Sequence, residues 1–193
     1  MESDIPWNRV NAFHMDEYIG LPRTAPQGFG NFLMEHIFGK VPFKSVNLID
    51  CETTDPEAEC ARYTALLQEN PVDIIILGIG ENGHIAFNDP PVADFADEKL
   101  VKIVELDEIC RQQQVNDGCF AALELVPKTA MTLTCPVFIR APQLFCIVPA
   151  ITKAKAVKRT LEGSICEECP ATVLRKHENA VLYLDAASAS LLD

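Results

Sequence analysis

The sequence predicts an α/β protein, with helices in layers on both sides of a largely parallel, Rossmann-like sheet (three layers, α/β/α). Short apolar runs rich in β-branched residues alternate along the chain with helical patterns, as is typical of parallel sheets. One run, VDIIIL at residues 72–77, is apolar at nearly every position, which predicts a central strand covered on both faces. A chain of 193 residues has room for one domain with a sizeable core, which we assign to residues 1–193.

The individual elements follow from local signals. A strand is predicted at residues 10–15 and a helix at about 30–38. A second helix is predicted to begin at Asp55, because Asp55 can cap it, Pro56 suits its first turn and Glu57 lies near its positive end. Further strands are predicted at residues 101–106, 130–135, 144–148 and 180–184, and further helices at 107–114, 152–161 and 172–176.

Composition excludes several classes of function. A net charge of −12 argues against nucleic acid, because phosphate backbones are bound by stripes of lysine and arginine. No apolar run is long enough to span a bilayer, and the first ten residues do not resemble a signal peptide, so we expect a cytoplasmic protein with its eight cysteines reduced. The spacing of Cys166 and Cys169 fits zinc or redox chemistry only weakly, since further ligands at a suitable spacing are lacking.

Two segments place reactive side chains just after predicted strands, where ligands of parallel sheets bind. The first carries Asp16 and Glu17, and the second is a glycine-rich loop at residues 78–90 that carries His84 and Asp89. Each segment has a plainer interpretation, since strand-end acids often cap turns and a lone histidine is often structural. The loop also fits a dinucleotide fingerprint, but the prolines at 90–91 leave no room for the helix that this fingerprint requires.

Taken together, the motifs resemble the glucosamine-6-phosphate deaminase (isomerase) family. The residues that carry the resemblance read FHMDEYIGLP at 13–22, GIGENGHIAFNDP at 78–90, VPKTAMTLT at 126–134 and TKAKAVKRTLEG at 152–163. The resemblance covers nearly the whole chain. Related 6-phosphogluconolactonases share the fold, but the MDEY and HIAFN segments favour the amino-sugar branch.

The resemblance implies conversion of glucosamine 6-phosphate to fructose 6-phosphate and ammonia, without a metal or redox cofactor. His84 matches the histidine that opens the sugar ring, and Asp16 matches the base that moves a proton from carbon 2 to carbon 1. Asp89 and Asn82 stand where the family has two acids beside this histidine. Because Asn82 lacks a charge, the imidazolium form is less favoured, which predicts a shifted pH optimum or an altered substrate within the class.

The resemblance also implies a set of substrate-binding residues. Lys153 matches a lysine that contacts phosphate at the start of a helix. The alternative interpretation is that Lys153 belongs to the solvated face of that helix. Arg111 is expected to replace a family arginine that aligns with Gln114, because it lies about one helical turn away. The motifs further place Glu17, Gly80 and Gly83 among the residues that contact a phosphorylated amino sugar.

Family members carry a strand and a Gly-Gly-Thr/Ser-Pro phosphate loop before the first motif, and no such loop precedes it here. The expectation is therefore a sheet with fewer strands, apolar surface left uncovered, and association into a homo-oligomer. Two other functions stay open at this point: a non-catalytic protein that binds sugar phosphates, and a hydrolase similar to 6-phosphogluconolactonase.

Overall fold

Strands and helices alternate along the chain in a computed structural model, which describes residues 5–106, 108–116 and 118–193. The strands are β1 (Asn11–Phe13), β2 (Asp16–Tyr18), β3 (Ser45–Asn47), β4 (Ile74–Leu77), β5 (Val101–Glu105), β6 (Thr129–Leu133), β7 (Gln143–Val148) and β8 (Ala180–Leu184). The helices are α1 (Phe29–Leu33), α2 (Pro56–Glu69), α3 (Glu108–Asn116), α4 (Cys135–Arg140) and α5 (Ala154–Glu162), and α1 continues as a π-helical segment, Met34–Phe38.

Most of the predicted elements are confirmed, and the differences are local. The cap of α2 is as expected, because the Asp55 carboxylate accepts a hydrogen bond from the Ala58 N–H at 3.0 Å. The predicted strand at 10–15 is shorter, and Asp16 begins a strand of its own. Residue 135 begins a helix instead of ending a strand. Position 107, the predicted start of α3, lies outside the described residues.

The chain divides into two compact units. The first contains Met1–Tyr63 and Ile103–Met131, and the second contains Thr64–Lys102 and Thr132–Asp193. In the first unit, β1 pairs in parallel with β3. Another sheet has the order β2-β6-β5, and the division between the units passes through β5 and β6. That residues 1–193 act as one domain stays a prediction.

The sheet of the second unit has the order β4-β7-β8, with both pairs parallel. Its register places Ile75 beside Leu144 and Leu77 beside Cys146, and these four side chains are buried. The parallel pairing confirms the predicted fold class, because parallel strands require crossover connections of the kind that helices provide here.

The opposite face of this sheet is uncovered, so the prediction that 72–77 forms a central strand covered on both faces is wrong. Among the described residues β4 lies at the edge of the sheet, and Ile74 and Ile76 are 57% and 63% exposed. Ile147, Val181 and Tyr183 continue the exposed apolar surface across β7 and β8. The other expectation, that apolar surface would be left uncovered, is confirmed.

Within the part of the chain that the structure describes, every helix is too short or too polar to cross a lipid bilayer.

Candidate active site

The loop that follows β4 holds the reactive side chains of the second unit. Residues between β4 and β5 form turns and no helix, so the chain does not continue into the helix that a dinucleotide site needs. Buried Asn88 fastens the loop by donating hydrogen bonds to the carbonyls of Ile85 (3.0 Å) and Leu133 (2.8 Å). The Phe87 N–H donates to the buried Thr132 hydroxyl at 3.1 Å. The bonds to Thr132 and Leu133 attach the loop to β6.

His84, Asn82 and Asp89 come together in this loop as one hydrogen-bonded cluster. His84 Nδ1 lies 2.8 Å from Asn82 Oδ1 and 3.1 Å from Asp89 Oδ1. Asn82 Nδ2 donates to the same Asp89 oxygen at 2.8 Å, and Asn82 Oδ1 also accepts the backbone N–H of His84 at 3.0 Å. The Asp89 side chain is 7% exposed and that of His84 is 20% exposed.

This geometry determines which ring nitrogen is available for chemistry. Both oxygens near His84 Nδ1 are acceptors, so Nδ1 carries a hydrogen and donates it. In the neutral ring Nε2 is then left with a free lone pair, and in the charged ring it can donate a proton. Asn82 and Asp89 orient the ring through Nδ1, which leaves Nε2 available for giving and taking a proton.

Two of the three glycines in the loop, Gly80 and Gly83, are required by close approach. A Cβ atom at Gly80 would overlap the His84 ring, and a Cβ atom at Gly83 would overlap the sulfur of Cys169. Gly83 also has a positive φ of 88°, which favours glycine. This packing supports a role in shaping the His84 loop. It does not test the predicted contact of these glycines with substrate.

Lys153 lies at the same end of the second unit's sheet as the His84 loop. The pairing of β4 with β7 is parallel, so the segments that leave their carboxyl ends emerge at one edge. Lys153 ends the short 3-10 turn Ile151–Lys153 and directly precedes α5, and Ala150, before this turn, has a positive φ of 84°. No hydrogen bond or salt bridge joins the Lys153 ammonium to another described residue, so it is free to bind an anion.

Asp16 belongs to the first unit, where it begins β2. Its side chain is only partly exposed, and burial together with the neighbouring Glu17 carboxylate raises the pKa of Asp16 to about 7. A carboxylic acid with this pKa exchanges its proton near neutral pH, which is the property required of a general base. The predicted base therefore has a suitable electrostatic environment.

Glu17 is placed differently from its neighbour. Its side chain is 2% exposed and accepts backbone N–H bonds from Tyr18 (2.9 Å), Phe29 (3.2 Å) and Gly30 (2.7 Å). The last two N–H groups open α1, so the buried carboxylate caps that helix. The geometry favours a structural role for Glu17 and does not support its predicted contact with substrate.

The Arg111 side chain likewise forms hydrogen bonds within the protein. From α3 its guanidinium donates to the Leu123 carbonyl at 2.6 Å and to the Val126 carbonyl at 2.9 and 3.2 Å. These bonds hold the short turn at Leu123–Leu125. They favour a structural role over the predicted replacement of a substrate-binding arginine.

The sequence did not indicate that Thr132 and Cys169 contact the His84 loop. Thr132 lies 45 residues from Phe87 in sequence and Cys169 lies 86 residues from Gly83, and both meet the loop only in the folded unit. The VPKTAMTLT motif contains Thr132, and the Cys166–Cys169 spacing singled out Cys169, but neither signal indicates which residue its side chain contacts.

Comparison with known proteins places the chain in a family. A family model described as glucosamine-6-phosphate isomerases/6-phosphogluconolactonase matches residues 1–183. A glucosamine-6-phosphate deaminase of Lactobacillus delbrueckii subsp. bulgaricus is 37% identical over 190 residues, which cover 98% of this chain and 79% of that protein. One of Bacillus cereus is 40% identical over 184 residues, which cover 95% and 68% respectively.

A solved structure agrees with these relatives. A protein described as a monomeric glucosamine-6-phosphate deaminase superposes with a TM-score of 0.84 at 32% identity, covering 93% of this chain and 73% of its own. The family model and the fold agree with this match. The chain therefore belongs to the glucosamine-6-phosphate isomerase/6-phosphogluconolactonase family.

Proposed function

We propose that this protein deaminates and isomerises a hexosamine 6-phosphate, converting glucosamine 6-phosphate and water to fructose 6-phosphate and ammonia. The observation that carries the proposal is the His84 cluster, in which Asn82 and Asp89 hold Nδ1 and leave Nε2 for proton transfer. The names of the relatives that cover most of the chain support the same chemistry.

The proposed reaction assigns a separate task to each residue. His84 Nε2 gives a proton to the ring oxygen while the carbon 1 hydroxyl loses its proton to water, and the pyranose opens to the aldehyde. Asp16, as carboxylate, removes the proton from carbon 2 and returns it to carbon 1, while a proton passes through water from the nitrogen to the carbon 1 oxygen, which leaves an imine at carbon 2. Water adds to the imine, and ammonia leaves as the ketone forms. Lys153 neutralises part of the phosphate charge.

The test is the stoichiometric release of ammonia and fructose 6-phosphate from glucosamine 6-phosphate by the purified chain. 6-Phosphogluconolactone serves as the second substrate in parallel assays. Release of both products in equal amounts supports the proposal. Hydrolysis of the lactone without ammonia release would instead identify a lactonase, and thermal stabilisation by the sugar phosphate without turnover would identify a binding protein.

We also propose that the reaction takes place in the cytoplasm. Six cysteines that the structure describes are free thiols, and several of these are buried: Cys51, Cys119, Cys135, Cys146, Cys166 and Cys169. Unpaired thiols suit a reducing compartment.

Changing Asn82 to Asp is expected to move the pH–rate profile. The new carboxylate would lie beside Asp89 and His84 Nδ1, so the cluster would favour a charged imidazole more strongly. We expect the profile of kcat/KM to shift to higher pH by about one unit, since an opposite charge within a few ångströms has effects of that size. Values of kcat/KM measured from pH 5 to 9 on glucosamine, galactosamine and mannosamine 6-phosphates would show the shift of the pH profile and any change in substrate preference.

The matched control for this change is Glu81→Gln, which alters charge at the adjacent exposed position without touching the ring. If Asn82→Asp leaves both the pH profile and the substrate preference as they are, Asn82 does not tune His84.

We propose that the protein forms a homo-oligomer through the exposed face of the β4-β7-β8 sheet. Ile74, Ile76, Ile147, Val181 and Tyr183 form this face, and none of them carries a charge, so two copies of a chain with net charge −12 can meet there without repulsion between facing side chains. Contiguous exposed apolar surface of several hundred Å² marks association sites. The same patch on two copies can form a two-fold interface.

Light scattering at ~1–50 μM is expected to give the mass of a dimer or larger assembly, and Ile76→Lys is expected to reduce it to the monomer mass. A buried lysine in such an interface would be an unpaired charge, which costs several kcal/mol. Leu191→Lys, at another exposed apolar position of the same unit, is the control and should stay assembled. A monomeric unsubstituted protein at 50 μM would refute this proposal.

A further inference from the structure

The loop that carries His84 rests on a second segment of the same unit, residues 166–172. Cys169 is fully buried, and its sulfur occupies the space that a side chain at Gly83 would fill. Two residues later, the Ala171 N–H donates to the Gly83 carbonyl at 2.8 Å. The peptide that leads directly into His84 is therefore held by close packing of Cys169 against Gly83 and by the hydrogen bond from Ala171.

The supporting segment is itself held firmly. The Cys169 N–H donates to the Cys166 carbonyl at 3.2 Å, which closes a tight turn. The buried Thr172 hydroxyl lies 2.7 Å from the Cys169 carbonyl and 3.1 Å from that of Cys166, and it accepts the Cys166 N–H at 3.0 Å. Because both ends of the turn are hydrogen-bonded to Thr172, the Cys169 sulfur has a defined position.

On the other side, the His84 ring is packed against Gly80. The ring occupies the space that a side chain at Gly80 would fill, and the Gly80 N–H donates to the His84 carbonyl at 2.9 Å. The Gly83 N–H donates to the Gly80 carbonyl at 3.0 Å. A displacement of Gly83 is therefore transmitted to the ring within a single closed turn of the backbone.

We propose that Cys169 is a positioning residue for His84. Its sulfur limits how closely Gly83 can approach the segment 166–172, and it thereby fixes the position of the loop that carries the His84 ring. The inference rests on the proposed function for its kinetic consequence, and on the contacts of Gly83 for its structural basis. The thiol contributes shape and not reactivity, since it is buried and burial raises the pKa of Cys169. A serine at 169 should therefore suffice, whereas a bulkier side chain should not.

The first experiment compares Cys169→Ser with Cys169→Val. The additional methyl group of valine would press on Gly83, and a displacement of about 1 Å at a reacting group can cost ~10²-fold in rate. We expect Cys169→Val to lower kcat by about 10–100-fold with little change in KM, and Cys169→Ser to stay within about 3-fold of the unsubstituted protein. Cys60→Val, at a buried cysteine of α2 in the first unit, is the matched control and should keep its kcat.

The second experiment tests the contact by rescue. Gly83→Ala is expected to be strongly impaired, because its new Cβ meets the Cys169 sulfur and its φ stays positive. Combining it with Cys169→Ala removes the sulfur, and the nearest remaining atoms of residue 169 lie 3.5 Å from the new Cβ. The double variant should recover at least about 5-fold in kcat over Gly83→Ala, as expected of two residues in direct contact.

A third measurement keeps this inference separate from the proposed reaction. The ring resonances of His84, followed by NMR through a pH titration, should change in Cys169→Val and stay unchanged in Cys60→Val, whether or not the protein turns over glucosamine 6-phosphate. Altered His84 resonances without any turnover would support the positioning role and reject the proposed function. Unaltered resonances in Cys169→Val, or no rescue in the double variant, would overturn the positioning role.

Discussion

Replacing His84 by asparagine is expected to lower kcat for ammonia release by about 10²–10⁴-fold, the usual contribution of a general acid or base. Asparagine keeps a polar side chain that can still donate a hydrogen bond toward Asn82 and Asp89, but it cannot transfer a proton near neutral pH. The substrate should still bind, so KM should change far less than kcat. Initial rates over a range of glucosamine 6-phosphate concentrations measure both quantities.

Two comparisons make the His84 result specific. His36→Asn removes an exposed histidine, hydrogen-bonded to the Phe32 carbonyl, and should leave kcat unchanged. Supplying the open-chain form of the substrate, or an analogue that cannot cyclise, should restore much of the lost rate, since His84 is assigned to ring opening. If His84→Asn retains more than about a tenth of the kcat, the ring-opening role is rejected.

Replacing Asp16 by asparagine is expected to abolish turnover as well, with a loss of about 10²–10⁴-fold in kcat. An amide cannot accept the proton from carbon 2. Because the pKa of Asp16 is raised to about 7, kcat/KM of the unsubstituted protein should rise with pH until Asp16 is ionised near neutrality. Exchange of the carbon 2 proton with deuterium from the solvent should also disappear in Asp16→Asn, and Asp73→Asn, at an exposed position, is the control.

The same substitution has a consequence for stability. The folded protein holds Asp16 at a pKa of about 7 and the unfolded chain at its ordinary 3.8, so folding favours the protonated form. This contribution is fully present below about pH 4 and is lost as the pH rises through 7. The free energy of unfolding of Asp16→Asn should therefore increase relative to the unsubstituted protein between pH 4 and 7. Urea unfolding at several pH values measures it, and a constant difference would contradict the raised pKa.

Local sequence signals predicted the elements well, because helix caps and strand composition act over a few residues. Asp55 caps α2 by a bond to a residue three positions away, and β8 has the predicted bounds. The histidine loop was also predictable, since Gly80, Gly83, His84 and Asp89 lie within ten residues of each other. In contrast, the composition of residues 74–77 did not indicate that one face of this strand is exposed, because exposure depends on whether other helices or strands pack against that face.

The sequence by itself determined the fold class, the family and the residues that carry the proposed chemistry. Only the tertiary structure decided what surrounds them. Glu17 adjoins Asp16 in sequence, yet it is buried as the cap of α1, while burial raises the pKa of Asp16. Cys169 supports Gly83 from 86 positions away. Burial and side-chain contacts arise from packing between segments that are distant in sequence. They determine the pKa of a carboxylate or the position of a loop, and no local sequence signal reveals them.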